Sequence, residues 1–195
     1  MKTRRVDISF TATGVTIPVD HGFALYGAVS RVLPRIHEDN DVGIRLIRGR
    51  YAGNGLLNIS PKCELVLRLP IDRIAPYLAL AGKRLDIAGQ PLTIGTMQTR
   101  ALIPSVVLYA HIVTTKNGND SNRFESEITH QLTDLGIQSK ANLGKRRTFS
   151  VHGKQVVGYS LLVSELTAEE SITLQESGLG GRRKMGCGFF EVWEG

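Results

Sequence analysis

The run Gly178-Leu179-Gly180-Gly181-Arg182-Arg183-Lys184-Met185-Gly186-Cys187-Gly188 concentrates more potential chemistry than any other part of the chain. Two glycine–apolar–glycine triplets bracket five residues, three of them cationic. Glycine admits positive φ and close backbone approach, and successive N–H groups in such a loop can form a concavity for an anion. Gly178, Gly180 and Gly181 would supply that backbone, and Arg182, Arg183 and Lys184 would add charge where a polyanion lies. A bare glycine cluster marks only a turn. The doubled triplet, the basic insert and the setting, with a helical pattern before and an apolar strand after, set this one apart. A dinucleotide-binding loop runs from strand to helix, the reverse of this order. A P-loop needs Gly-Lys-Ser or Gly-Lys-Thr opening a helix, and neither tripeptide occurs.

A second basic stretch, Lys140 to Lys154, holds Lys140, Lys145, Arg146, Arg147 and Lys154. A charge run is usually a solvated face, but this one falls in the same half as the glycine segment. Lys145, Arg146 and Arg147 are expected to contact a phosphate backbone, giving affinity and salt dependence more than sequence choice. The net charge of +6 over 195 residues points the same way, to nucleic acid first and a membrane surface second. The two cysteines, Cys63 and Cys187, show no metal-ligand spacing and no disulfide framework, so neither a metal nor another cofactor is expected. The first residues show no apolar core of a signal peptide and no apolar run is long enough for a bilayer. A cytoplasmic protein is the expectation.

The elements that would position these groups follow from periodicity. Val6, Ile8 and Phe10 alternate in a strand. Asp20 is placed to cap a helix over 21–33, with Leu25, Val29, Val32, Leu33 and Ile36 on one stripe. Pro34 either kinks it or opens a second short turn. Strands are expected at 43–51 and 63–69, a helix at 71–81 stopped by Gly82, and a strand or hairpin at 84–94 turning at Ala88-Gly89. The order then repeats: a long strand at 102–115, a helix at 123–135, a hairpin of 146–151 with 155–166, a helix at 167–176 with Thr167 and Glu170 as a capping box, and a strand at 189–193. Each half reads strand, helix, strand, strand, helix, strand, the ferredoxin-like motif. The expected class is α+β, with two ferredoxin-like domains over 1–97 and 98–195.

A duplicated ferredoxin-like fold with this terminal glycine segment resembles the RAMP superfamily of CRISPR-associated proteins. Within it, the chain is similar to the endoribonucleases that cut precursor CRISPR RNA in each repeat. Their signature is Gly-h-Gly, five residues with at least one Lys or Arg, then Gly-h-Gly, where h is hydrophobic. Here it reads Gly178-Leu179-Gly180, 181–185 and Gly186-Cys187-Gly188. The run Pro18 to Ala28 also looks like the first helix of that family. The resemblance implies metal-free cleavage by a 2′-hydroxyl, leaving a 5′-hydroxyl and a 2′,3′-cyclic phosphate. It implies antiviral defence, with repeat RNA as partner and other effector subunits as a further class. The alternative is a non-catalytic RNA-binding subunit of an effector complex.

Cleavage of this kind needs proton transfer, for which histidine is suited, and a cation for the charge on phosphorus. The family often places its catalytic histidine after the first helix, so His37 is favoured. His21 is second, against a structural role bonded to neighbouring backbone. Arg48 is the preferred cation, sharing a strand face with Arg50. Tyr26 and Ser30, one helical turn apart, are candidates for orienting the 2′-hydroxyl or for packing. Of the other histidines, His111 is expected to be packed, His130 solvent-facing, and His152 at a basic hairpin turn.

Overall fold

In the computed structural model, which describes residues 3–195, the alternation of Val6, Ile8 and Phe10 forms β1, Arg5–Thr13. Met1 and Lys2 of the N-terminal run lie outside the described residues. The chain divides into two compact units, Met1–Ala101 and Leu102–Gly195.

In the first unit β1 is followed by β2 (Thr16–Pro18) and α1 (Gly22–Val32). Leu25, Ala28 and Val29 bury one stripe of α1. Its N-cap is His21, with no side-chain cap, so Asp20 does not fill that role. Pro34 opens a separate 3-10 turn, Pro34–His37, the second of its two expected outcomes. Then come β3 (Gly43–Ile44), β4 (Gly49–Gly53), β5 (Leu56–Ile59) and β6 (Glu64–Pro70). The strand expected over 43–51 is thus broken. The Ile47 N–H, which a continuous strand would give to a neighbour, bonds the buried His21 ring instead, at 2.9 Å. The expected helix at 71–81 is two 3-10 turns, Ile71–Arg73 and Ala75–Leu80. Pro76 removes an amide that an α-helix would need and disfavours the α conformation before it. The unit closes with β7 (Arg84–Ile87) and β8 (Gln90–Ala101). Between them Ala88 (φ 51°) and Gly89 (φ 85°) are both left-handed, as a tight hairpin requires.

The main sheet runs β3-β6-β1-β8-β7, all antiparallel. Setting β7 aside, this is the ferredoxin-like order. Ile8, Phe10, Leu65, Leu67 and Leu69 bury its inner face beneath α1 and the 3-10 turns. On the other face Arg68, 2% exposed, is held by both carboxylate oxygens of Asp7 at 2.7 and 2.9 Å. A small separate sheet, β2-β5-β4, has no counterpart in the sequence-based expectation.

The second unit repeats the plan with β9 (Val107–Val113), α2 (Ser121–Asp134), β10 (Lys140–Val151), β11 (Lys154–Ser164), α3 (Ala168–Ser177) and β12 (Phe190–Val192). Its sheet order is β10-β11-β9-β12. β9 is shorter than expected because residues 102–106 are tied to α3. Ser105 N–H donates to Ser171 Oγ at 2.9 Å, and Gln175 Nε2 to the Ile103 carbonyl at 2.9 Å. α2 is capped by Asp120, which accepts from Arg123 N–H at 3.1 Å. The Thr167–Glu170 capping box forms, a device that contributes about 1 kcal/mol. β10 and β11 turn at His152 and Gly153, both with positive φ. Phe124 and Phe190 are fully buried in this core. Burying such a ring contributes about 1.5–3 kcal/mol. Among the described residues no helix is long and apolar enough to cross a membrane.

Candidate functional site

His37 ends the turn that Pro34 begins. Ile36 anchors that turn in the core, leaving His37 exposed. The Tyr26 hydroxyl, from α1, meets His37 Nδ1 at 2.6 Å. The two rings stand edge to face, with centroids 5.4 Å apart at 77°. Partial burial raises the Tyr26 hydroxyl above its ordinary value, keeping it a neutral hydrogen-bonding group. Fixing Nδ1 sets the orientation of the ring. Ser30 does not join the pair. Its hydroxyl donates to the Gly27 carbonyl of its own helix at 3.0 Å. Asp39, two residues on, is tied elsewhere, accepting from Tyr77 at 2.9 Å and from Arg73 at 3.2 Å.

His21 is a different kind of histidine. It is 2% exposed. Nδ1 lies 2.8 Å from the Pro18 carbonyl and 3.2 Å from that of Val19, so it is the protonated nitrogen. Nε2 accepts from Ile47 N–H. Burial lowers its pKa despite those carbonyls. Both ring nitrogens are committed to the backbone, which corrects the expectation that it could serve as a base.

Arg48 is exposed, but it sits in the segment between β3 and β4 and not on a strand. The strand alternation that put Arg48 and Arg50 on one face therefore does not apply. Arg45 is half-buried and pairs with Glu64 at 3.8 Å, and Glu64 is held more closely by Arg100, at 2.6 and 2.9 Å. Those bonds, the Arg100 contact first, hold the Glu64 carboxyl below its usual range.

The glycine segment is packed, not open. Gly178, Gly180, Gly186 and Gly188 all have positive φ. A β-carbon at Gly180 would run into the Thr114 carbonyl, and one at Gly188 into the Leu179 carbonyl. Their amides are committed within the unit: Gly180 to Gln131 Oε1 at 2.7 Å, Gly181 to the Thr114 carbonyl at 2.9 Å, Gly188 to the Ile112 carbonyl at 2.8 Å. Leu179 and Cys187 plug into the core. Burial pushes the Cys187 thiol up to about 12. The expected anion concavity of exposed amides is thus corrected: these glycines let two turns press against β9 and each other. What faces solvent is the tip, Gly181 and Arg182, the latter held in a left-handed conformation at φ 60°. Arg183 folds back, donating from Nη2 to the Glu176 carbonyl at 3.1 Å. It caps the end of α3, where a cation suits the helix dipole. Lys184 is half-buried beside it.

On β10 a register shift between Leu143 and Arg146 interrupts the pairing with β11. Lys145 N–H bonds Ser160 Oγ at 2.9 Å there. Lys145 and Arg146 are exposed, and Arg147 is half-buried with its Nε shielded from water and without a hydrogen-bond partner among the described residues. Bulges often re-aim side chains at functional sites. His152 is exposed at the hairpin turn. His130 is exposed and lies 3.6 Å from Asp134. His111, expected to be packed, is exposed, because it falls on the solvent side of β9 between buried Ala110 and Ile112. Among the described residues no three His, Cys, Asp or Glu side chains converge as metal ligands. Sequence reasoning passed over Tyr51, exposed on β4. The signal was available: four cations and no carboxylate stand between Asp41 and Glu64.

Comparison with known proteins bears on all of this. The family described as Cas6 Crispr matches residues 6–193. The CRISPR-associated endonuclease Cas6 of Myxococcus xanthus (strain DK1622) is 40% identical over 185 residues, covering 95% of this chain and 80% of that protein. The product of a Cas6-related gene from Pyrococcus furiosus superposes with a TM-score of 0.66 at 12% identity, over 97% of this chain and 99% of that one. A RAMP protein that binds different RNA substrates gives 0.61 at 12% identity, over 97% and 99%. At such identities the two structures speak to the fold, and that fold is the tandem ferredoxin-like one.

Proposed function

The chain belongs to the Cas6 family of CRISPR-associated proteins, and from that premise we propose that it is an endoribonuclease cutting precursor CRISPR RNA within its repeats. Cleavage proceeds without a metal. The 2′-hydroxyl beside the scissile phosphate attacks phosphorus and the bond to the 5′ oxygen breaks. A 2′,3′-cyclic phosphate and a 5′-hydroxyl result. His37 carries the proton. With the Tyr26 oxygen accepting from Nδ1–H, Nε2 keeps its lone pair and takes the 2′-hydroxyl proton. The imidazolium then returns it to the departing 5′ oxygen. Arg48 supplies positive charge for the phosphorane-like transition state.

The observation that carries this reading is the 2.6 Å hydrogen bond between the Tyr26 hydroxyl and His37 Nδ1. It holds an exposed imidazole in one orientation, as a proton-transfer group requires, at the place where the family resemblance puts its catalytic histidine. The second unit grips the phosphate backbone. Arg182 and Lys184 at the tip of the glycine segment, with Lys145, Arg146 and Arg147 at the β10 bulge, contact phosphates. Arg183 contributes by bracing the tip.

The test is to incubate repeat RNA with the protein in chelator and map the products. One cut per repeat with a cyclic-phosphate end is expected, absent with His37→Ala and with a 2′-deoxy substitution at the cleavage position. A cut that persists in the deoxy substrate would falsify the 2′-hydroxyl route. Binding without cleavage by the parent protein would make it a non-catalytic RNA-binding subunit.

A further inference from the structure

The small sheet of the first unit has a row of side chains that runs out of the core. Ile17 on β2 pairs with Leu57 on β5, and Leu57 pairs with Tyr51 on β4. Residues directly opposite one another share a face. Burial falls along the row: Ile17 is 1% exposed, Leu57 is half-buried, and Tyr51 is 66% exposed. β4 is the outer strand. Edge strands of soluble proteins are commonly guarded by charge or proline, yet this one ends its apolar row in a bare aromatic ring.

The same-face neighbour of Tyr51 along β4 is Gly49, opposite Ile59, whereas the register shift leaves Gly53 opposite Leu56, on the other face. Gly49 lets β4 close down on β5, where a β-carbon would meet the Asn58 carbonyl at 2.7 Å and Leu57 Cβ at 2.9 Å. The register shifts between Tyr51 and Gly53, and Gly53, Asn54 and Gly55 all take positive φ. The charge along this part of the chain has one sign. Arg48, Arg50 and Lys62 are exposed, and no carboxylate occurs between Asp41 and Glu64.

An exposed aromatic ring on an edge strand, in a segment whose charges are all cationic, fits one occupant. We infer that Tyr51 is a stacking platform for an unpaired base of the RNA, with Arg48 and Arg50 near the phosphates on either side of it. Bases splayed from single-stranded RNA stack on such rings, and paired bases are not available to them. The inference rests on the RNA-processing reading and adds to it a subsite for the unpaired part of the substrate.

The test titrates repeat RNA, with its unpaired flanks free or annealed along its whole length to a complement, against the full chain and three variants. Tyr51→Ala is expected to lose about 10-fold in affinity for the free strand, in the range for loss of one stacked base. Tyr51→Phe keeps parental affinity, since the ring face does the binding. Tyr51→Leu keeps apolar bulk over Leu57 without a ring and falls with the alanine variant. None changes affinity for fully paired RNA, and the salt slope stays at the parental value because stacking releases no counterions. Parental affinity in Tyr51→Ala would overturn the inference, leave cleavage by the parent intact, and assign this face to a protein partner. Rescue by leucine, loss with phenylalanine, or equal loss on paired RNA would overturn it as well. If the parent neither binds nor cuts repeat RNA, the nuclease reading falls and the stacking site with it.

Discussion

The two units share a strand order and differ in where they leave it. In the first, the departures follow α1: a 3-10 turn ending in His37, a broken strand, and an added small sheet. In the second, the frame is kept through two capped helices and a long hairpin, and the departure comes after α3, in the glycine turns. The first unit thus presents side chains at its irregularities. The second presents backbone turns so tightly packed that only a basic tip protrudes. The shared strand order is kept in both, and the variation falls in what is added to it.

The sharpest way to break this division is His37→Ala. It should lower the cleavage rate by about 100-fold or more and leave the dissociation constant for repeat RNA unchanged. A comparable loss of binding would erase the distinction between units. Next in size is Gly188→Ala. Its β-carbon would strike the Leu179 carbonyl at positive φ, with an expected cost of at least about 1–3 kcal/mol, read as a lowered urea midpoint. Gly181→Ala, with open space around it and no positive φ, should leave the midpoint in place. If both variants bind RNA poorly while staying equally stable, the glycines bind substrate directly and the packing explanation fails.

Arg146→Ala combined with Arg147→Ala should weaken binding of all RNA sequences alike and reduce the salt slope by about 2, roughly one per phosphate contact. An unchanged slope would move the interface elsewhere. Tyr26→Phe removes one hydrogen bond to Nδ1 and should slow cleavage about 3–10-fold, with no effect on binding. The smallest effect concerns pH. His21 is buried and its folded pKa lies below 6.5. The unfolded chain therefore takes up the proton first. Stability is full above 6.5 and declines as pH falls from there toward the folded value. Urea melts at pH 8 and 5 should show this decline in the parent and its reduction in His21→Gln.

Much of the fold was legible because its signals are local. The alternation at Val6, Ile8 and Phe10, the Ala88-Gly89 and His152-Gly153 turns, and the Thr167–Glu170 box all specify structure from neighbouring residues alone. The failures came from distant partners. Nothing near Ile47 says that its amide will go to a histidine 26 positions earlier, and that bond is what breaks the expected strand. Ser105 and Ile103 likewise depend on Ser171 and Gln175, far along the chain. Pro76 was a local signal overridden by attention to apolar spacing. The candidate site was legible in part. The place of His37 after the first helix followed from the sequence, but its bond to Tyr26 did not, and neither did the inward turn of Arg183, since a cationic run looks the same whether its members face water or a helix end.

Both native thiols are sealed inside their units, with Cys63 and Cys187 buried and their pKa values raised. Maleimide dyes will consequently ignore them under native conditions. A cysteine introduced on the surface, for instance Thr148→Cys on the β10–β11 hairpin, becomes the sole reactive handle without prior removal of the natural ones. A fluorophore attached there can report the arrival of RNA at the bulge in real time, independently of whether the strand is cut.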